Sequence, residues 1–229
     1  MEQIISRLEP LLTEERVRRM KSVLATRSDH VAFVFERMVD PHNLSAALRS
    51  MDAMSFQDAH LIEPAERIGL SRSISIGAER WLSLYDHSDS AACLAELRAA
   101  GYRIYASRVE EGQGIRLQEI DFSRRTALVF GNEHAGVSPE VVAQADEAFH
   151  IGMRGFSESL NLSVAAAISA YHARETLERL AEQEQDPARY LLSEERRQAI
   201  YVEWLCQSVK KADQIIAELQ GRGEEGGAA

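Results

Sequence analysis

Residues 149–171 read FHIGMRGFSESLNLSVAAAISAY. A short apolar run turns at Gly152 and Gly155 and enters a helix near Ser157 to Ser159, hydroxyl residues of the kind that satisfy orphan backbone donors at helix starts. The reading is strand, glycine loop, helix. Ala165, Ala166, Ala167, Ser169 and Ala170 leave that helix almost no side-chain bulk, so another element comes close to its backbone. Spacing alone favours ordinary helix-on-sheet packing. The sharper reading is a ligand site, because a glycine loop ahead of a helix presents free N–H groups to an anion or carboxylate.

Two further strand, turn and helix units lie upstream. VAFVFERM at 31–38 reads as a buried strand ended by Asp40, Pro41, His42 and Asn43, and LSAALRSMDAM at 44–54 as the helix that follows. Asn43 stands at that helix start and Arg49 six residues on, so both border one cleft only if the turn folds over it. TALVF at 126–130 is apolar enough for a central strand and delivers GNEHAG at 131–136. Ligands of open α/β sheets bind at the carboxyl ends of strands, where glycine permits close backbone approach and Glu133 supplies an acceptor. The spacing is not GxGxxG, which argues against a dinucleotide enzyme. Glu133 also reads as a loop carboxylate paired with a neighbouring arginine, and Arg49 is a candidate partner.

Between these units, DAHLI at 58–62, RWLSL at 80–84 and residues 102–107 read as strands. Residues 71–77 read as a short helix, 90–100 as an amphipathic helix stopped by Gly101, and 109–118 as a polar loop. Strands and helices alternating at this pitch predict an α/β domain with a mainly parallel sheet and helices on both faces. At the amino end Thr13 caps a helix that turns Val17, Met20 and Leu24 inward and Arg18 and Lys21 outward. Beyond Asp186 and Pro187 a final helix, capped by Ser193, runs to Gly221. The predicted organisation is a helical extension at 1–28, a central domain at 29–185, and a helical extension with a flexible tail at 186–229.

With 229 residues and 45% hydrophobic content, the chain can bury one full core. No apolar run is long enough to span a bilayer and residues 1–26 lack the core of a signal peptide, so a cytoplasmic protein without membrane attachment is expected. Cys93 and Cys206 lie far apart, without CxxC or a histidine cluster of metal-ligand spacing, which predicts reduced thiols and no metal. The formal net charge of −10 opposes nucleic-acid binding, whose affinity comes largely from phosphate neutralisation. Positive charge must then be local. Arg16, Arg18, Arg19, Lys21 and Arg27 form a basic run with no acid between them, and the first four are the candidates for RNA phosphate contact.

Three stretches taken together carry a resemblance. SLNLSVA at 159–165, preceded by an IxMxG turn, NLSAALR at 43–49 and LVFGNEHAGVS at 128–138 are similar, in order and spacing, to the signature motifs of the SpoU/TrmH group of SPOUT RNA 2'-O-methyltransferases. The resemblance covers roughly residues 31–173. It implies S-adenosylmethionine as cofactor, met by Ser107, Gly131, Glu133, Ile151, Met153 and Leu160, largely through backbone groups. It implies a catalytic set of Arg49, Asn43, Glu133, Ser159 and Asn161, a carboxyl-terminal trefoil knot threading roughly residues 128–173, and a homodimer. The implied substrate is RNA, with transfer RNA and its D-loop guanosine leading. Ribosomal RNA, or a catalytically silent RNA-binding protein on the same fold, are the alternatives. Gly152 stands where relatives usually carry proline.

Overall fold

The computed structural model describes residues 1–62, 77–109, 112 and 114–225. Its strands are β1 (Val31–Glu36), β2 (Asp58–Ile62), β3 (Ser83–His87), β4 (Arg103–Ser107), β5 (Ile115–Arg116), β6 (Thr126–Phe130) and β7 (Glu147–His150). They form one parallel sheet in the order β3-β2-β1-β6-β4-β7-β5. Every residue of β1, β2 and β6 is buried, as expected of central parallel strands covered on both faces.

Alternation along each strand divides the core into two layers. Val31, Phe33, Phe35, Leu128 and Phe130 face α3 (Pro41–Ala53) and α6 (Leu162–Glu184). Ala32, Val34, Ala127 and Val129 face the other way, toward Cys93, Leu94 and Leu97 of α4 (Ser90–Ala99) and Val141 of α5 (Pro139–Gln144). The small-residue face of α6 is a packing face: Ala166, Ala170 and Ala173 are buried in one layer with Ala47 and Leu48 of α3. Absence of bulk there lets two helices approach over the sheet.

Several boundaries differ from the sequence expectation. Helix α6 starts at Leu162, not near Ser157 to Ser159, because the Asn161 side chain supplies the cap by accepting from the Ser163 N–H. The third strand is Ser83–His87, after a 3₁₀ turn over Glu79–Trp81 that takes up part of RWLSL. The expected loop at 109–118 contains β5 and the start of a further 3₁₀ turn, Leu117–Glu119. Helix α5 has six residues, too few to show a periodic pattern. Residues 71–76 of the expected short helix lie outside the described residues.

Contacts divide the chain into two units, residues 28–190 and residues 1–27 together with 191–229. The second unit holds α1 (Glu2–Leu8), α2 (Glu14–Leu24), α7 (Glu194–Ser208) and α8 (Ala212–Glu225). The final helix is thus two helices, parted where Val209 is extended and Lys211 takes a left-handed φ of 61°. Among the described residues no helix is long and apolar enough to cross a membrane.

Candidate active site

Strands β4, β6 and β7 are neighbours, and the loops at their carboxyl ends line a cavity of about 610 Å³. That volume falls within the range of roughly 300–1,000 Å³ usual for small-molecule sites. Ser107, Gly131, Glu133, Ile151, Met153 and Leu160 all line it, with Ser159 and Asn161. The sequence had scattered these residues over more than fifty positions, and the parallel order brings them to one rim.

The loop after β6 is folded tightly on itself. Asn132 Oδ1 accepts from the N–H groups of His134 (2.8 Å) and Ala135 (3.2 Å), its Nδ2 donates to the Arg37 carbonyl at 2.9 Å, and the Gly136 N–H donates to the Asn132 carbonyl at 2.8 Å. A Cβ on Gly131 would stand 2.0–2.1 Å from backbone atoms of Gly136 and Val137, so glycine is required there by the loop's own return path. Gly152 differs, since a Cβ there meets nothing within 4 Å.

Glu36 was not singled out in the sequence. It is buried at the end of β1, its Oε2 accepting from the Ser138 N–H at 2.8 Å and its Oε1 from the Ser90 hydroxyl at 3.2 Å. One carboxylate thereby anchors the end of the β6 loop and the first turn of α4. The available signal was an acid closing the otherwise apolar run VAFVF.

The three motif segments meet through side chains. Asn161 Nδ2 donates to Asn43 Oδ1 at 2.9 Å, and Asn43 Nδ2 donates to Glu133 Oε1 at 3.0 Å. The partner of Glu133 is therefore Asn43 and not Arg49. Its second oxygen, Oε2, is buried and has no hydrogen-bond partner among the described residues. Arg49 is exposed on α3, makes no hydrogen bond or ion pair among the described residues, and does not line the cavity. Ser159 is exposed at the rim.

These three segments define a family. A model described as the SpoU rRNA Methylase family matches residues 30–171. The chain belongs to the SpoU methylase family. A tRNA (guanosine(18)-2'-O)-methyltransferase of Thermus thermophilus is 37% identical to this SpoU methylase over 162 residues, 71% of this chain and 83% of that one. A crystal structure of the Aquifex aeolicus TrmH/SpoU tRNA modifying enzyme superposes with a TM-score of 0.74 at 31% identity, covering 86% of this chain and 98% of the other. The SpoU methyltransferase AviRb of Streptomyces viridochromogenes, solved in complex with the cofactor AdoMet, gives a TM-score of 0.55 at 25% identity, covering 68% of this chain and 61% of that one.

The basic run of this SpoU methylase lies on α2. Arg16, Arg18, Arg19 and Lys21 are all exposed. Arg18 and Arg19 make no hydrogen bond or ion pair among the described residues, whereas Lys21 pairs with Glu9 at 2.9 Å. The Tyr201 hydroxyl, which donates to Glu9 at 2.6 Å, does most to hold that carboxyl below the usual range, and Lys21 adds to it. Lys21 is thus outward, as expected, and partly engaged within its own unit. Arg27 is fully buried, its guanidinium 5.6 Å from the Trp204 ring centre, so it leaves the exposed basic run. A second grouping was invisible in the sequence: His60 Nδ1 and His87 Nε2 lie 2.9 Å apart, with Cys93 beside them. A hydrogen bond between the rings accounts for the pair, and burial foremost pushes the Cys93 thiol up to about 12.

Proposed function

We propose that this protein transfers a methyl group from S-adenosylmethionine to the ribose 2'-hydroxyl of a D-loop guanosine in transfer RNA, acting in the cytoplasm as a homodimer. The observation that carries the reading is the hydrogen-bond chain from Asn161 through Asn43 to Glu133 at the cavity rim, which joins the three motif segments at one point. The cavity fits the donor: its size is suitable, its lining at Gly131, Ile151, Met153 and Leu160 offers mainly backbone groups, and Glu133 adds a carboxylate to the lining. When bound, the donor supplies an electrophilic methyl group on a sulfonium.

The chain's own residues then have separable tasks. Ser107, Gly131, Glu133, Ile151, Met153 and Leu160 hold the donor in place, and positioning of this kind supplies much of a transfer rate. Arg49 is a permanent cation and cannot take a proton. Exposed and unpaired among the described residues, it binds the phosphate beside the target ribose and stabilises negative charge developing on the oxygen. Ser159 and Asn161 hold the loop ahead of α6, and Asn43 ties it to α3. Arg16, Arg18, Arg19 and Lys21 contact phosphate elsewhere on the RNA, offsetting the acidic net charge locally. Val164, Ile168 and Tyr171, exposed on one face of α6, supply the apolar stripe for pairing with a second copy. The trefoil threading of residues 128–173 belongs to the same proposal, supported by the placement of β4 between β6 and β7.

Mapping 2'-O-methyl groups in total RNA after incubation with the protein and labelled donor tests the reading. A single D-loop guanosine in transfer RNA is expected. Label confined to ribosomal RNA would replace the substrate, and no label in any RNA would leave a silent binder.

A further inference from the structure

Six of the seven phenylalanines are buried in the core, and Phe156 is fully exposed. A lone apolar side chain in water is ordinary on a protein surface, but the place of this one singles it out. It is carried by the loop from β7 to α6, in which Met153 on one side of it in sequence and Glu158, Ser159 and Leu160 on the other all line the cavity. Two more exposed apolar side chains follow other strands of the same sheet edge, Val39 after β1 and Val109 after β4, and Val109 is also part of the cavity lining. Arg154, two residues before Phe156, is exposed as well and makes no hydrogen bond or ion pair among the described residues. The carboxyl edge thus offers an open ring beside an uncommitted guanidinium at the entrance to the cavity.

On the reading that the protein methylates a ribose 2'-hydroxyl, we infer that the ring of Phe156 receives the nucleobase of the target nucleotide face to face. The hydroxyl stands on C2' and the base on C1' beside it, so a hydroxyl delivered to a donor in the cavity leaves its base at the mouth. Chemistry on a nucleotide of a folded RNA draws that nucleotide out of its stack, and proteins replace the lost neighbours with aromatic rings or arginine planes. Phe156 supplies the ring and Arg154 the plane. The donor's own adenine is not the occupant, because Phe156 does not line the cavity. A second copy of the chain is the poorer fit, since Arg154 and Glu158 flank the ring and the cores of protein interfaces are depleted of charge. The other strongly exposed aromatic among the described residues, Tyr171, lies on the α6 stripe and outside the cavity lining. Stacking tolerates any base, so Phe156 holds the target nucleotide in register without choosing its identity.

A thermodynamic cycle tests the contact. Wild type and Phe156→Ala are compared on the RNA mapped as substrate and on the same RNA with an abasic ribose at the methylated position, which keeps the 2'-hydroxyl. On intact RNA the variant's single-turnover efficiency, the rate constant divided by the half-saturating RNA concentration, is expected to fall ~5- to 150-fold, the effect of losing one stack of a base on an aromatic ring. On abasic RNA the same substitution should change the efficiency less than ~2-fold, because the partner is already gone. Phe156→Tyr should restore most of the loss on intact RNA, and Phe156→Leu, apolar but without a ring face, should not. Donor affinity by calorimetry and the sedimentation coefficient are expected to match wild type in all three variants. An equal loss on both RNAs would overturn the inference, as would undiminished efficiency of Phe156→Ala on intact RNA. A loss that resides in donor affinity or in dissociation of a dimer would overturn it too. Wild-type protein that methylates no RNA would overturn the functional reading itself, whereas wild-type methylation with additive losses in the cycle removes the stacking contact alone.

Discussion

Arg49 makes no hydrogen bond or ion pair among the described residues, so replacing it removes little from the folded state. Arg49→Ala is expected to change stability by no more than about 0.5 kcal/mol while lowering single-turnover methyl transfer ~10²- to 10³-fold. A thermal melt beside a quenched time course measures both. Arg49→Lys keeps the charge but loses the planar fork, and near wild-type transfer by that variant would refute a geometric role. The two loop glycines make a sharper pair. Gly131→Ala forces the β6 loop to shift, because the new methyl would stand 2.0–2.1 Å from the backbone of Gly136 and Val137. A loss of about 1–3 kcal/mol is expected, along with donor binding by calorimetry. Gly152→Ala meets nothing within 4 Å and should retain both. Sequence reading named Gly131 for a close approach, but the neighbour it must admit is its own loop. It also named Asn43, Glu133 and Asn161 without pairing them. Contacts across 90 and 118 residues are made by the fold, and residue types alone left Arg49 as good a partner for Glu133 as Asn43.

At the scale of elements, α2 offers a test of local charge against a global excess. Arg18 and Arg19 are exposed and unpaired among the described residues, while Lys21 is held by Glu9. Replacing Arg18 and Arg19 together with alanine should weaken RNA binding and flatten its salt dependence by about 1.8 in log–log slope if both contact phosphate. Filter binding across a salt series reads the slope, and an unaltered value would make them ordinary solvated charges. The helix itself was legible because Thr13 caps it and Val17, Met20 and Leu24 recur at helical spacing. The start of α6 was less so: FSESLN offers three residues able to cap, and the choice of Asn161 depends on its second bond, to Asn43. The break between α7 and α8 carries neither glycine nor proline, and left-handed backbone at Lys211 is not a preference that lysine announces.

For the molecule as a whole, the parallel α/β architecture was readable from the alternation of apolar runs with helical stretches, and the strand order was not, since order is decided by which crossovers pack. The proposed homodimer rests on the exposed stripe of Val164, Ile168 and Tyr171 on α6. Val164→Glu combined with Ile168→Glu should convert a dimer to a monomer in sedimentation velocity, and a double variant that still sediments as a dimer would place the contact elsewhere. The pairing of β1 with β6 has a different consequence, which concerns synthesis. Val31 pairs with Thr126 and Phe35 with Phe130, so one edge of the apolar strand VAFVF stays open until residues far along the chain have left the ribosome. At ~5–20 residues per second the wait over about 95 residues is on the order of 5–20 s. Strand β2 closes the other edge much earlier. For that interval the nascent chain carries an unpaired apolar edge of the kind that recruits other chains, and its yield in the cell is expected to fall when chaperone cover is withdrawn.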